Sequence, residues 1–174
     1  MWLRLIAAIS GLVIASGALI AQAADKPTDP QIAHIAYTAG QIDIDAAKLA
    51  LSKSKNKVVR GFAEDMLRDH TAVNKQALDL VKKLGVTPED NETSRTLTKQ
   101  AAEKRAELVK LKGKQFDKAY IANEVAYHQQ VNGALNTVLI PSAINPELKS
   151  LLETGLKIFQ GHQQHAEHVA SEIK

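Results

Sequence analysis

Between Val59 and Leu80 the apolar residues Val59, Phe62, Met66, Val73, Ala77 and Leu80 return at steps of three and four, which places them on one face of a helix. The same period runs through Phe116, Ile121, Val131, Leu135 and Val138, and again through Leu148, Leu151, Ile158 and Val169. Earlier in the chain Ile35, Ile42 and Leu49 carry it among many alanines, a narrow face that lets a neighbour approach closely. Long segments with one apolar stripe each can bury that stripe only against one another, so the pattern commits the chain to an all-α bundle. Aromatics make up 4% of the residues, a balance that suits helix packing and argues against a β-sandwich.

Helix boundaries are written in the same way three times. Asp29-Pro30, Thr87-Pro88 and Asn145-Pro146 each pair a capping side chain with a proline that loses no hydrogen bond in a first turn. Gly85 and Gly113 stand at positions that end helices, and Ile140-Pro141 predicts another stop. Five helices result, over 30–53, 57–84, 88–112, 114–139 and 146–173. The third has only Leu97, Leu108, Val109 and Leu111 as sizeable apolar residues and reads as a surface helix. Four long helices with a polar crossover between the second and fourth make the chain plan of a ferritin-like four-helix bundle.

Ahead of the bundle, Met1 to Arg4, the apolar stretch Leu5 to Ile20 and Ala21-Gln22-Ala23 form the n-region, h-region and cleavage site of a secretory signal peptide. The expected division is a leader over 1–23, a linker over 24–29 and the bundle over 30–174, with no membrane span left after cleavage. The expected destination is the periplasm, with outer-membrane association or secretion as alternatives. Loss of Arg4 lowers the formal charge of +3 by one, and no run of four Lys/Arg occurs, so a nucleic-acid partner is not expected. An envelope protein partner stays open. Without cysteine there is no disulfide, thiolate metal site or thiol catalysis, and any metal chemistry falls to His, Asp and Glu.

Polar residues interrupt the apolar seams at chosen places. The seam of the second helix passes from Met66 through His70 to Val73, with Asp69 beside it. In the fourth helix the series 121, 124, 128, 131 turns Glu124 and His128 inward, one turn apart. In the last helix the series 151, 155, 158, 162, 165, 169 does the same for His162 and His165, with His168 toward the flank, and the first helix contributes Asp43. His70 and His128 each lie 14 residues from a predicted helix end, and Asp43 and His162 lie 13 and 16 residues from theirs. At about 1.5 Å per residue these four share a level roughly 20–24 Å along the bundle.

A layer of Asp43, His70, Glu124, His128, His162 and His165, supported by Asp69 and His168, suits a transition metal such as Zn, Cu(II), Ni or Fe. Alternatively the histidines bond to one another, to the carboxylates and to a buried water, and serve only to specify the fold. A ferroxidase-type di-iron centre is not expected: it needs Glu three residues before His, and Leu67, Val125 and Phe159 stand there. Nor does the chain contain a nucleophile elbow, a phosphate-binding loop or a zinc-protease helix, so no catalytic residues are assigned.

The segments Gln41 to Ala50, Val59 to Thr71, Phe116 to Tyr120 followed by His128, and His162 with Ala166 resemble the exported bacterial ferritin-like family known as domain of unknown function 4142. Its members often carry an outer-membrane label. The likeness spans about 30 to 170, and Phe-Ala-x-x-Met-x-x-Asp-His-Thr at 62–71 is its most specific part. The resemblance implies a ferritin-like fold, export and recurring histidines at His70, His128 and His162, with no known activity. Asp43 stands where the family usually has glutamate, and Lys157 where it usually has proline. The expectation is thus an exported, non-enzymatic bundle with a buried His/carboxylate layer. A structural or envelope-stress protein is the alternative, and a metal-dependent oxidoreductase would need an open coordination position.

Overall fold

The computed structural model describes residues 26–173; the expected leader over 1–23 lies outside them. Six α-helices and one π-helical turn follow in order: α1 (Asp29–Lys53), α2 (Lys57–Leu84), α3 (Glu92–Lys110), α4 (Gly113–Ala134), the π-turn Leu135–Leu139, α5 (Ile140–Ser142) and α6 (Pro146–Glu172). No strand occurs among the described residues. α1 packs on α2, α2 on α6, α6 on α4 and α4 on α1, so the four long helices close a ring in which every neighbour is antiparallel. α3 runs back along the outside of α1, which makes it the polar crossover of a ferritin-like bundle.

Local chemistry sets most of the boundaries. Asn56 and Asn145 accept hydrogen bonds from the first-turn amides of α2 and α6, while Gly85 at φ 65° takes the left-handed turn that closes α2. Four expected boundaries move. Asp29 does not cap α1; Thr28 precedes that helix, and the Asp29 carboxylate accepts from the amides of Ile144 and Asn145 at the start of α6. α3 begins four residues beyond Pro88. The Glu89 amide bonds to the carbonyl of Pro30, and Asn91 caps Ser94 while its amide reaches Gln31, so residues 86–91 tie two helix starts together. At Pro141 the helix does not stop. It widens into the π-turn and continues to Ser142, and Gly113, expected to end α3, opens α4 at φ 52°.

The core is in two parts. One end holds Phe62, Met66, Phe116, Tyr120, Ile121 and Val169; the other holds Ile32, Ile35, Leu135, Leu139, Leu148, Leu152 and Phe159. In α6 the buried series is 148, 152, 155, 159, 162, 166, 169, one step round from the expected one, so Leu151 and Ile158 are only half-buried.

α1 and α2 meet closely where Gly40 faces Asn74, which donates to the Tyr37 carbonyl at 3.2 Å. A Cβ on Gly40 would fall within 2.9 Å of the Asn74 Cγ. Gly40→Ala therefore destabilises the protein by about 1–2 kcal/mol despite alanine's better helix propensity. In an Asn74→Ala background the same change stabilises, and the sign reversal is read by chemical denaturation of the four proteins of the cycle.

Candidate metal centre

Between the two apolar clusters the helices deliver a polar layer. His70 from α2, His128 from α4 and His162 from α6 are all buried, with ring centroids 5.2 to 5.7 Å apart. One nitrogen of each ring lies within 4.8 Å of the other two. Asp43 from α1 and Glu124 from α4, also buried, each bring a carboxylate oxygen within 4.8 Å of a His128 nitrogen. Phe159, one turn before His162, stacks on the His70 ring at 4.6 Å and 11°.

Hydrogen bonds fix two of the rings. His128 Nδ1 lies 2.9 Å from the carbonyl of Glu124, which can only accept, so Nδ1 carries the proton and Nε2 is left as a lone pair with no protein donor. His162 Nε2 donates to Asp69 Oδ2 at 3.0 Å, leaving His162 Nδ1 unpartnered in the same way. Asp69 is gripped by the Arg68 guanidinium at 2.7 and 3.0 Å. That pairing, with a smaller contribution from His162, holds its carboxyl below the usual range. His70 has no hydrogen-bonding partner on either nitrogen; its Nε2 is 3.3 Å from Asp43 Oδ2 without bonding alignment. Asp43 and Glu124, both buried, face each other closely enough to share a hydrogen bond when one carboxyl is protonated, and the Tyr120 hydroxyl is buried without a protein partner.

Burial dominates the protonation of the layer. Desolvation, aided by the neighbouring imidazoles, pushes His70 down to about 2, and desolvation lowers His128 to about 4 and His162 below its ordinary value. All three are neutral at pH 7, the form in which imidazole binds metals. Desolvation moves the acids the other way: Glu124 rises to about 7, and Asp43 rises well above the carboxylate range, pushed further by Glu124 beside it. The ligands of a tetrahedral ion with bonds of 2.0–2.1 Å lie about 3.4 Å apart, a contraction within reach of small side-chain rotations here. The arrangement holds two groups that share His128: the three imidazoles, which can offer three neutral nitrogens to one divalent ion, and Asp43 and Glu124 on the other side of His128.

The structure brings Asp43, His70, Glu124, His128 and His162 to one level and leaves two expected members outside. His165 is 40% exposed, its ring edge-on to Phe62 and 3.8 Å from Asp65, because the register of α6 turns it off the axis. His168 is 70% exposed and pairs with Glu172. Asp69 lies beside the layer and accepts from His162 Nε2 at 3.0 Å. Sequence reasoning missed Phe159, which the mistaken register of α6 placed off the core; a count in steps of three and four back from His162 finds it. It also missed Asn74 and Asn132, buried polar residues with backbone partners on neighbouring helices.

The chain matches the model of a family described as a domain of unknown function, DUF4142, over residues 15–169. No curated protein matches it in sequence. Its fold is similar to that of a DUF305 protein from Streptomyces coelicolor named as a candidate secreted protein, with a TM-score of 0.70 at 11% identity over 82% of this chain and 91% of that one. A DUF305 fragment from Deinococcus radiodurans gives a TM-score of 0.71 at 17% identity over 84% of this chain and 99% of the fragment. At these identities the likeness shows the fold alone. Among the described residues no helix is long and apolar enough to cross a membrane. The family match spans most of the sequence and contains every residue of the buried layer, and the chain belongs to the family of domain of unknown function 4142.

Proposed function

We propose that the protein is an exported metal-binding bundle that holds one divalent transition-metal ion on His70, His128 and His162, with the Asp43 and Glu124 carboxylates on the neighbouring side of His128. One observation carries this reading. The ring protons of His128 and His162 are spent on partners outside the trio, Glu124 carbonyl and Asp69, and their remaining lone pairs are buried with nothing in the protein to bind them. Outer partners that fix the tautomer of a ligating histidine are the usual support of a metal site. The donor set of imidazole and carboxylate suits Zn, Cu(II), Ni or Fe. Export rests on the signal-peptide pattern of residues 1–23 and agrees with the name of the Streptomyces neighbour.

Metal analysis of untagged protein recovered from its export pathway, followed by anaerobic titration of the apo form with Zn, Cu, Ni and Fe, tests the reading. The expected result is about one tightly held ion per chain, lost in His70→Ala and in His128→Ala with the bundle still folded by circular dichroism. Uptake that survives both substitutions, or a stable protein that takes up none of the four, overturns it.

Asp69→Asn keeps the shape but replaces the charged acceptor that orients His162. Affinity for the ion falls by about 10- to 100-fold without vanishing. An unchanged dissociation constant in competition with a chromophoric chelator argues against a ligating role for His162.

Metal binding and fold specification make opposite demands on His70. Its two nitrogens are buried without hydrogen bonds, each such group costing about 1–3 kcal/mol. His70→Leu, of similar volume, therefore leaves the metal-free protein as stable as the parent or about 1–2 kcal/mol more stable. A loss of more than about 2 kcal/mol in urea melts of the apo forms would support histidines kept for the fold.

A further inference from the structure

The two apolar clusters are filled differently. Below the polar layer the space between the helices is occupied by Phe62, Met66, Phe116 and Tyr120. Above it, Ala33, Ala36, Ala77 and Gly155 stand where large side chains would be needed to fill the ring, and a cavity of about 730 Å³ opens between α1, α2, α6 and the π-turn, with the start of α3 and the end of α4 completing its wall. This is the size range of small-molecule sites. Its inner end is closed by Phe159, the ring that stacks on His70. On α6 the lining runs from Leu148 to Phe159, 11 residues or about 16 Å, so the space is a slot along the bundle axis.

The wall offers little to water. Asn74 is the one buried polar residue among those that line the slot; its amide is bonded to the Tyr37 carbonyl, and no lining residue carries a buried unpartnered polar atom. Polar lining side chains such as Lys26, Gln31, Asn91 and Glu92 are exposed or half-exposed and set the rim, where one positive and one negative charge cancel. Water in such a slot would lack the two to four polar partners it needs, and an occupant with apolar surface gains contacts that the aliphatic walls otherwise forgo. An elongated apolar interior with a neutral polar rim matches one extended hydrocarbon chain with a polar head.

We propose that this slot is a binding site for a single-chain amphiphile, with its hydrocarbon chain along the bundle axis toward Phe159 and its head at the rim beside Gln31 and Asn91. The assignment is independent of the metal reading, since it uses none of the ligating residues.

The test is a fluorescence titration of the purified chain with N-phenyl-1-naphthylamine, followed by displacement with 1-dodecanol and, separately, with naphthalene. A Cβ at Gly155 would meet only the Phe159 ring, at 3.5 and 3.8 Å, so a longer side chain there enters the slot without a backbone clash. The expected result is one saturable site per chain, displaced by dodecanol, at least about tenfold weaker in Gly155→Leu and in Ala36→Leu and unchanged in the Gly155→Ala control. Circular dichroism melts show which variants fold. Absence of saturable binding in the parent overturns the proposal, as does full affinity in a folded filling variant. Displacement by naphthalene but not by dodecanol overturns the chain-like occupant.

Discussion

Five ionisable side chains from four helices meet on the axis of a bundle that is apolar above and below them, and their desolvation is the constraint around which the rest of the structure is arranged. A buried polar group without a partner costs about 1–3 kcal/mol, against a total stability of about 5–15 kcal/mol for a domain. Several such atoms stand in this one layer. The two apolar clusters must therefore do more than close the bundle. Phe62, Phe116 and Tyr120, fully buried, contribute on the order of 1.5–3 kcal/mol each and hold the helices in register while the layer opposes them.

What distinguishes the layer from an ordinary buried network is which atoms are satisfied. In a network that serves packing, the groups bond to one another, and a half-satisfied network is worse than an apolar core. Here the bonds that His128 and His162 make lead away from the centre, to a backbone carbonyl and to Asp69, so one nitrogen of each ring is left without a partner, while Asp43 and Glu124 pair with each other. Charge follows the same logic. Three neutral imidazoles add nothing to the net charge, and two carboxylates whose ionisation burial opposes would balance a doubly charged ion. A layer of this composition has its electrostatic cost lowered by a divalent cation, because the attraction of the ion restores the ionised form that desolvation disfavours.

The fold was legible because helix periodicity and asparagine caps are local signals: α2 and α6 begin where Asn56 and Asn145 can reach first-turn amides. Thr87-Pro88 misled because the same residues suit a tight connection, and the Glu89 amide finds its acceptor on α1, a contact 59 residues away in sequence. Polar interruptions of an apolar seam located Asp43, His70, Glu124, His128 and His162 without any knowledge of the fold. The register of α6 was ambiguous, since Leu151, Leu152, Ile158 and Phe159 support two adjacent faces. The choice between them is made by Phe159 packing on His70, a contact between helices that no single-helix pattern contains. His165 fell inside the layer in one register and outside it in the other.

Phe159 also explains why the two halves of the core differ. In the lower half aromatic rings pack on one another, Phe116 on Tyr120 at 6.0 Å and Phe62 on Tyr120 at 6.2 Å, and fill the space between the helices. In the upper half the one large ring is drawn down to the polar layer, where its face covers His70, and the alanines and Gly155 above it leave the slot. The aromatic that shields the imidazole is thus the same one that bounds the cavity, so apolar space and polar layer are separated by the thickness of a single ring. Any occupant of the slot that presses on Phe159 acts on His70 through a stacked contact, and any ligand that turns the His70 ring acts on Phe159 in return. Linkage makes that exchange reciprocal in free energy, whatever its size, and it follows from one side chain serving both walls.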